Sequence, residues 1–109
     1  MIGRLWRGRC TPENAEAYET LLITKIIPEL DQAEGCLGAY VMRRHDGEDI
    51  EFAVLHLFES LAAVKAFAGD NYQVAAVPGE ARALLASFDP VAQHFDVRAT
   101  PYHDSTFLT

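Results

Sequence analysis

Residues 51–59 read Glu51-Phe52-Ala53-Val54-Leu55-His56-Leu57-Phe58-Glu59, and this run decides the fold. Ala53, Leu55 and Leu57 fall on one side of an extended chain and Phe52, Val54, His56 and Phe58 on the other. Both sides are apolar, so a strand here must be covered on both faces. Upstream, His45-Asp46-Gly47-Glu48 has the composition of a hairpin turn with Asp-Gly at its centre. It joins this strand to an alternating partner, Cys36 to Arg44.

Working further outward, Ile2 to Arg9 has the length and composition of a strand, with Arg4 and Trp6 on one face and Leu5 on the other. Thr11-Pro12-Glu13 then opens a helix: a capping hydroxyl, a proline that fits the first turn and an acid at the positive end of the dipole. Ala15, Tyr18, Leu22 and Ile26 recur at helical spacing, so the helix is expected from Pro12 to Gln32, bent or broken near Pro28. After the long strand, Ser60 caps a second helix that Gly69 ends. Asp70 and Gln73 form a capping-box variant, and Tyr72, Val74 and Val77 follow before Pro78-Gly79, so another helical turn is expected there. A short helical piece over Glu80 to Ser87 leads into a last strand, Val91 to Ala99. Residues 1–99 form the expected domain, and 100–109 have no period and are expected to be a tail.

Two strand-helix-strand units joined by a hairpin make an α+β, ferredoxin-like β-α-β-β-α-β fold. Its four-stranded antiparallel sheet takes the order 4-1-3-2, because crossovers are right-handed. Helices cover one face only. Leu5 and the odd-numbered positions of the third and fourth strands suit the helix side best. That leaves Arg4, Trp6, Phe52, Val54, His56, Phe58, His94 and Asp96 on an open face large enough to invite a second copy of the chain. A homodimer is the expected assembly.

Composition narrows the function. The 109 residues suit one domain, and a formal charge of −7 disfavours nucleic acid or an anionic membrane as partner. Arg4, Arg7 and Arg9 interrupt the apolar residues at the N-terminus, so neither a signal peptide nor a membrane span is expected, and the protein is expected to be cytoplasmic. Cys10 and Cys36 lie in no metal-binding pattern, and their expected strand positions are too far apart for a disulfide. There is no glycine-rich phosphate loop, nucleophile elbow or HExxH. No metal site is expected.

Three stretches carry a resemblance. Ile2-Gly-Arg-Leu-Trp-Arg-Gly-Arg9, Gly38-Ala-Tyr-Val-Met-Arg-Arg44 and Phe52-Ala-Val-Leu-His-Leu-Phe-Glu-Ser60, with Ala63-Val-Lys-Ala-Phe-Ala-Gly69 after the last, resemble the antibiotic biosynthesis monooxygenase superfamily. The likeness implies a dimeric α+β barrel. Some members oxidise polycyclic phenols with molecular oxygen and neither metal nor flavin, while others bind and open haem. The haem-opening branch implies Asn on the first strand, Trp on the second helix and a ligating His beyond it. Those places are held here by Leu5, Phe67 and Val77, which disfavours haem chemistry, and the Trp common before Glu-Ser is Phe58. No cofactor is therefore expected.

The candidate site follows from shared face and residue type. His56 and His94 are candidate general bases for a phenolic proton, with Arg4 to stabilise the anion and Trp6 to stack on the rings. Phe58, Phe67 and Tyr72 are further candidates for substrate contact. His56 and His94 flank the first strand at about 10 Å from one another, given roughly 4.8 Å per strand, which is too far to share a metal. Two ligand positions are open: a crevice between sheet and helices near Leu5, Leu57, Phe67, Tyr72 and Val77, or the lumen between two facing sheets. Two functions are open as well. One is a cofactor-independent monooxygenase acting on a small aromatic or quinol compound. The other is a non-catalytic dimeric domain for a small hydrophobic molecule or a stress response.

Overall fold

The computed structural model describes residues 1–101. The expected tail therefore lies, but for Thr100 and Pro101, outside the described residues. In order along the chain stand β1 (Ile2–Cys10), α1 (Pro12–Leu21), a π-helical turn (Leu22–Ile26), α2 (Ile27–Leu30), β2 (Cys36–Asp46), β3 (Asp49–Phe58), α3 (Leu61–Ala68), α4 (Gly79–Arg82), β4 (Ser87–Phe88) and β5 (Gln93–Asp96). The antiparallel sheet runs β2-β3-β1-β4, with β5 also paired to β1. This is the expected 4-1-3-2 order with the last strand in two pieces.

Local chemistry explains most boundaries. Ser60 accepts the Ala63 amide at 3.1 Å, and Gly69 ends α3 with φ of 84°. Thr11 holds the cap position of α1 without a side-chain bond. The hairpin turns on Gly47-Glu48, one residue beyond the expected centre, with Gly47 at φ 62° and Asp46 paired to Asp49. The expected long helix widens before Pro28, which has no amide to give and whose ring crowds the preceding turn. The Ile27 amide reaches back to the Leu22 carbonyl instead.

The helix expected over 70–77 does not form. The Val74 amide bonds only to Asn71, the Ala75 amide to the Pro90 carbonyl at 3.0 Å, and the Ala92 amide to the Gln73 carbonyl at 2.7 Å. This strap is pinned to the chain ahead of β5, so pairing at a distance has displaced local helix propensity. The piece expected over Glu80 to Ser87 shortens to α4, since Ser87 and Phe88 pair with Arg9 and Gly8.

The two sheet faces are exchanged relative to expectation. Helices cover the side of Phe52, Val54, His56 and Phe58: Tyr18 of α1 meets Phe52 edge-on at 5.0 Å, and Cys10, Leu22, Ile50 and Val54 complete that core. Leu5 and Leu55, opposite one another in the ladder, lie on the other side, where Met42 is 46% and Phe95 52% exposed. Apolar alternation on β3 is the same for both faces. The larger rings went under the helices, where α1 could close over them, and β2 follows with Ala39 and Val41 inward and Tyr40 and Met42 outward. Cys10 and Cys36 pair with Ile50 and Phe58 at opposite ends of β3, so they cannot bridge.

Candidate functional site

Beneath the helices lies a cavity of about 360 Å³. Its floor is Arg4, Trp6, Val54 and His56 from β1 and β3. Tyr18, Leu22, Ile26, Ile27 and Leu30 wall it on one side, and Phe67, Ala68 and the strap Val74–Pro78 on the other. The crevice and the polar cluster that the sequence assigned to opposite faces are therefore one site.

Arg4 stands directly opposite His56 on one side and His94 on the other, a row across three strands. Arg4 is 9% and His56 6% exposed. The Arg4 guanidinium lies 5.8 Å from the centre of the Phe67 ring, and its Nη2 donates to the Tyr72 carbonyl at 3.4 Å, a long bond. Among the described residues no carboxylate pairs with it. Among the described residues, Arg4 Nε, His56 Nε2 and His94 Nε2 are buried without a hydrogen-bond partner. Trp6 is fixed by its indole, which donates to the Asp89 carbonyl at 2.8 Å.

These surroundings set the charges. Burial first, and the Arg4 cation second, push His56 down to about 4, with Asp31 opposing weakly, so it is neutral at ordinary pH. His94 is lowered by the same two causes. Burial lowers Arg4 as well, but a guanidinium keeps its proton. Burial raises Tyr18, with the Cys10 thiol adding to it, so its phenol stays protonated. The cavity thus presents one cation, one neutral imidazole and the Tyr18 phenol against an otherwise apolar wall, with His94 behind Arg4.

Of the residues singled out from sequence, Arg4, Trp6, His56 and Phe67 line the cavity. Phe58, Tyr72 and His94 do not. Phe58 backs the site, its ring 6.1 Å from His56 and 5.5 Å from Phe67. Tyr72 meets His94 edge-on at 5.0 Å beside Arg4. Asp96, placed in the same cluster from sequence, lies opposite Ile2 and is exposed. Leu5 and Leu57, expected in the crevice, take no part in it; Val77 does. Sequence reading missed Tyr18, Leu22 and the Ile26–Leu30 wall. Their helical spacing and the break at Pro28 were visible, but which face of the sheet they would roof was not. Among the described residues there is no cluster of three metal-binding side chains.

A family model for antibiotic biosynthesis monooxygenases matches residues 1–79. The chain belongs to the antibiotic biosynthesis monooxygenase family. Solved structures carry the same fold at low identity. A presumed antibiotic biosynthesis monooxygenase from Deinococcus radiodurans superposes with a TM-score of 0.65 at 18% identity, over 92% of this chain and 95% of that one. Another from Caulobacter crescentus gives 0.62 at 22%, over 88% of each chain. A haem-degrader from Mycobacterium tuberculosis, with two haems bound in its active site, gives 0.59 at 18%, over 92% of this chain and 98% of that one. No curated protein matches the chain.

Within this family frame the residues do not fit a haem site of the kind the resemblance implies. Val77, at the place of the ligating His, lines the cavity but has no donor atom, and Phe67 lines it without an indole N–H. Leu5, at the place of the Asn, is on the opposite face of the sheet from the cavity.

Proposed function

We propose that this chain is a cofactor-independent monooxygenase acting on a small aromatic or quinol compound. It works as a cytoplasmic homodimer, with residues 1–99 as the functional domain. The observation that carries the reading is Arg4 opposite His56, each with an unpartnered buried nitrogen, on the floor of an apolar cavity.

In this reading His56 takes the phenolic proton on Nε2, Arg4 stabilises the anion, and Trp6 and Phe67 hold the ring system. Phe58 braces His56; Tyr72 and His94 brace Arg4 from the other side. The electron-rich anion reacts with molecular oxygen. One oxygen atom stays in the product as a carbonyl, and the other leaves as water with two hydrogens taken from the substrate. His56 at about 4 is a weak base in the empty site, but an anion on Arg4 cancels part of what holds it down. His94 is the second candidate, and its absence from the cavity wall favours His56.

The face turned away from the helices, with Leu5, Leu55, Met42 and Phe95, is the surface for the second copy. Oxygen uptake with a panel of anthrones and hydroquinones tests the activity. His56→Ala should abolish uptake and leave the dimer intact, and unchanged uptake would sink the assignment. A second reading, binding without turnover, is favoured by the low basicity of His56. Saturable binding of the same compounds with no protein-dependent oxygen uptake would establish it.

A further inference from the structure

We propose that the ligand of this cavity is an aromatic carboxylate, its carboxylate on the Arg4 guanidinium and its ring against Trp6 and Phe67. The inference rests on the same cavity being the ligand site, and deepens that reading by naming the class of molecule.

The first argument is one of missing charge. The chain has 16 acidic residues against 9 Lys and Arg, and the other arginines within β1 and β2 find them: Arg7 and Arg44 pair with Glu51, Arg9 with Asp46, and Arg43 with Glu16 and Glu19. Arg4 is nine-tenths buried and, among the described residues, pairs with none. A buried cation without a counter-ion is costly. Its neighbours in the ladder, His56 and His94, bring no negative charge. A neutral phenol would bring none either until it reacts, whereas a carboxylate is ionised throughout the neutral range and matches the planar guanidinium fork with two oxygens. Arg4 Nε is unpartnered and Nη2 makes only the long bond to Tyr72, so that edge of the fork is poorly satisfied.

The second argument is the rest of the wall. Beyond Arg4, His56, Tyr18 and the Trp6 indole, whose N–H is taken up by the Asp89 carbonyl, the lining side chains are hydrocarbon, with Leu22, Ile26, Val54 and Val77 facing the same space as Trp6 and Phe67. A ligand with one charged end and an apolar body fits this division. The cavity of about 360 Å³ exceeds the ~150 Å³ that accommodates benzene in an engineered cavity, so one or two fused rings can enter.

The test uses the full chain and two probes of one shape, 1-naphthoate and 1-naphthamide, by isothermal titration. Naphthoate should bind about ten-fold tighter or more, the scale of a charged hydrogen bond, and Arg4→Met should erase that preference. Equal affinity, failure of both to bind, or a preference that survives Arg4→Met would overturn the proposal. Should Arg4→Met not fold, the wild-type protein still decides. Trp6 is the one tryptophan in the chain, so benzoate should change its emission saturably while benzamide leaves it unchanged at the same concentrations. No response to benzoate, or an equal response to both, would overturn the assignment. Oxygen uptake is a separate measurement: naphthoate bound with the stated preference and no uptake with any phenol would leave this inference standing and defeat the monooxygenase reading.

Discussion

Arg4 and His56 face each other across the β1–β3 ladder, both buried, and among the described residues neither Arg4 Nε nor His56 Nε2 has a hydrogen-bond partner. Burial, and after it the neighbouring Arg4 cation, keeps the imidazole neutral, and measurable behaviour follows from the arrangement.

The first concerns pH and stability. His56 is held near 4 in the folded protein against an ordinary 6.5, so between those values the unfolded chain binds the proton more readily. Its contribution to stability is complete above about pH 6.5 and is lost as pH falls toward 4. Between about pH 7 and pH 5 the wild-type protein should lose about 2 kcal/mol relative to His56→Phe. Urea unfolding of both proteins at the two pH values measures the difference, and parallel losses would refute it.

The second concerns which face is roofed. Phe52 is fully buried against Tyr18. Phe52→Ala should therefore cost about 3 to 5 kcal/mol and leave the assembly state of the folded fraction unchanged. Thermal unfolding combined with light scattering checks both halves of that statement.

The opposite face supplies the third. Leu55 lies among Leu5, Tyr40 and the exposed Phe95 side of the sheet, away from the cavity. Leu55→Asp should convert a particle of twice the 12.1 kDa chain mass into a folded monomer, seen by sedimentation. A wild-type protein that already sediments as a monomer would defeat the dimer.

Haem provides the fourth. With Val77 and Phe67 on the cavity wall in place of donor side chains, haemin added to the protein should show no shift of its main absorption band beyond that of haemin with an unrelated protein. A tight stoichiometric shift would mean that another residue, His56 first, supplies the ligand.

Much of this was legible in the residues. The turn chemistry of Gly47, the cap at Ser60 and the stop at Gly69 are local preferences, satisfied within a few residues, and the structure keeps all of them. That His56 and His94 flank β1 with Arg4 or Trp6 between them could be drawn in advance from antiparallel order and a period of two, but the register of the two ladders is what puts Arg4 in the row. The strap over 70–78 could not. Its capping-box pattern is helical in isolation, and only the carbonyl of Pro90 and the amide of Ala92, some fifteen residues on, draw Ala75 and Gln73 into an extended path.

Alternation along β3 established by itself that both sides of the strand are apolar, and alternation along β1 set Arg4 and Trp6 together on one side of theirs. It could not say which side the helices would take, since Phe52, Val54 and Phe58 are no less apolar than Ala53, Leu55 and Leu57. That choice was made in three dimensions. The right-handed crossover from β1 sets α1 on one face, Tyr18 closes on Phe52 there, and the polar row is carried beneath the helices into the cavity.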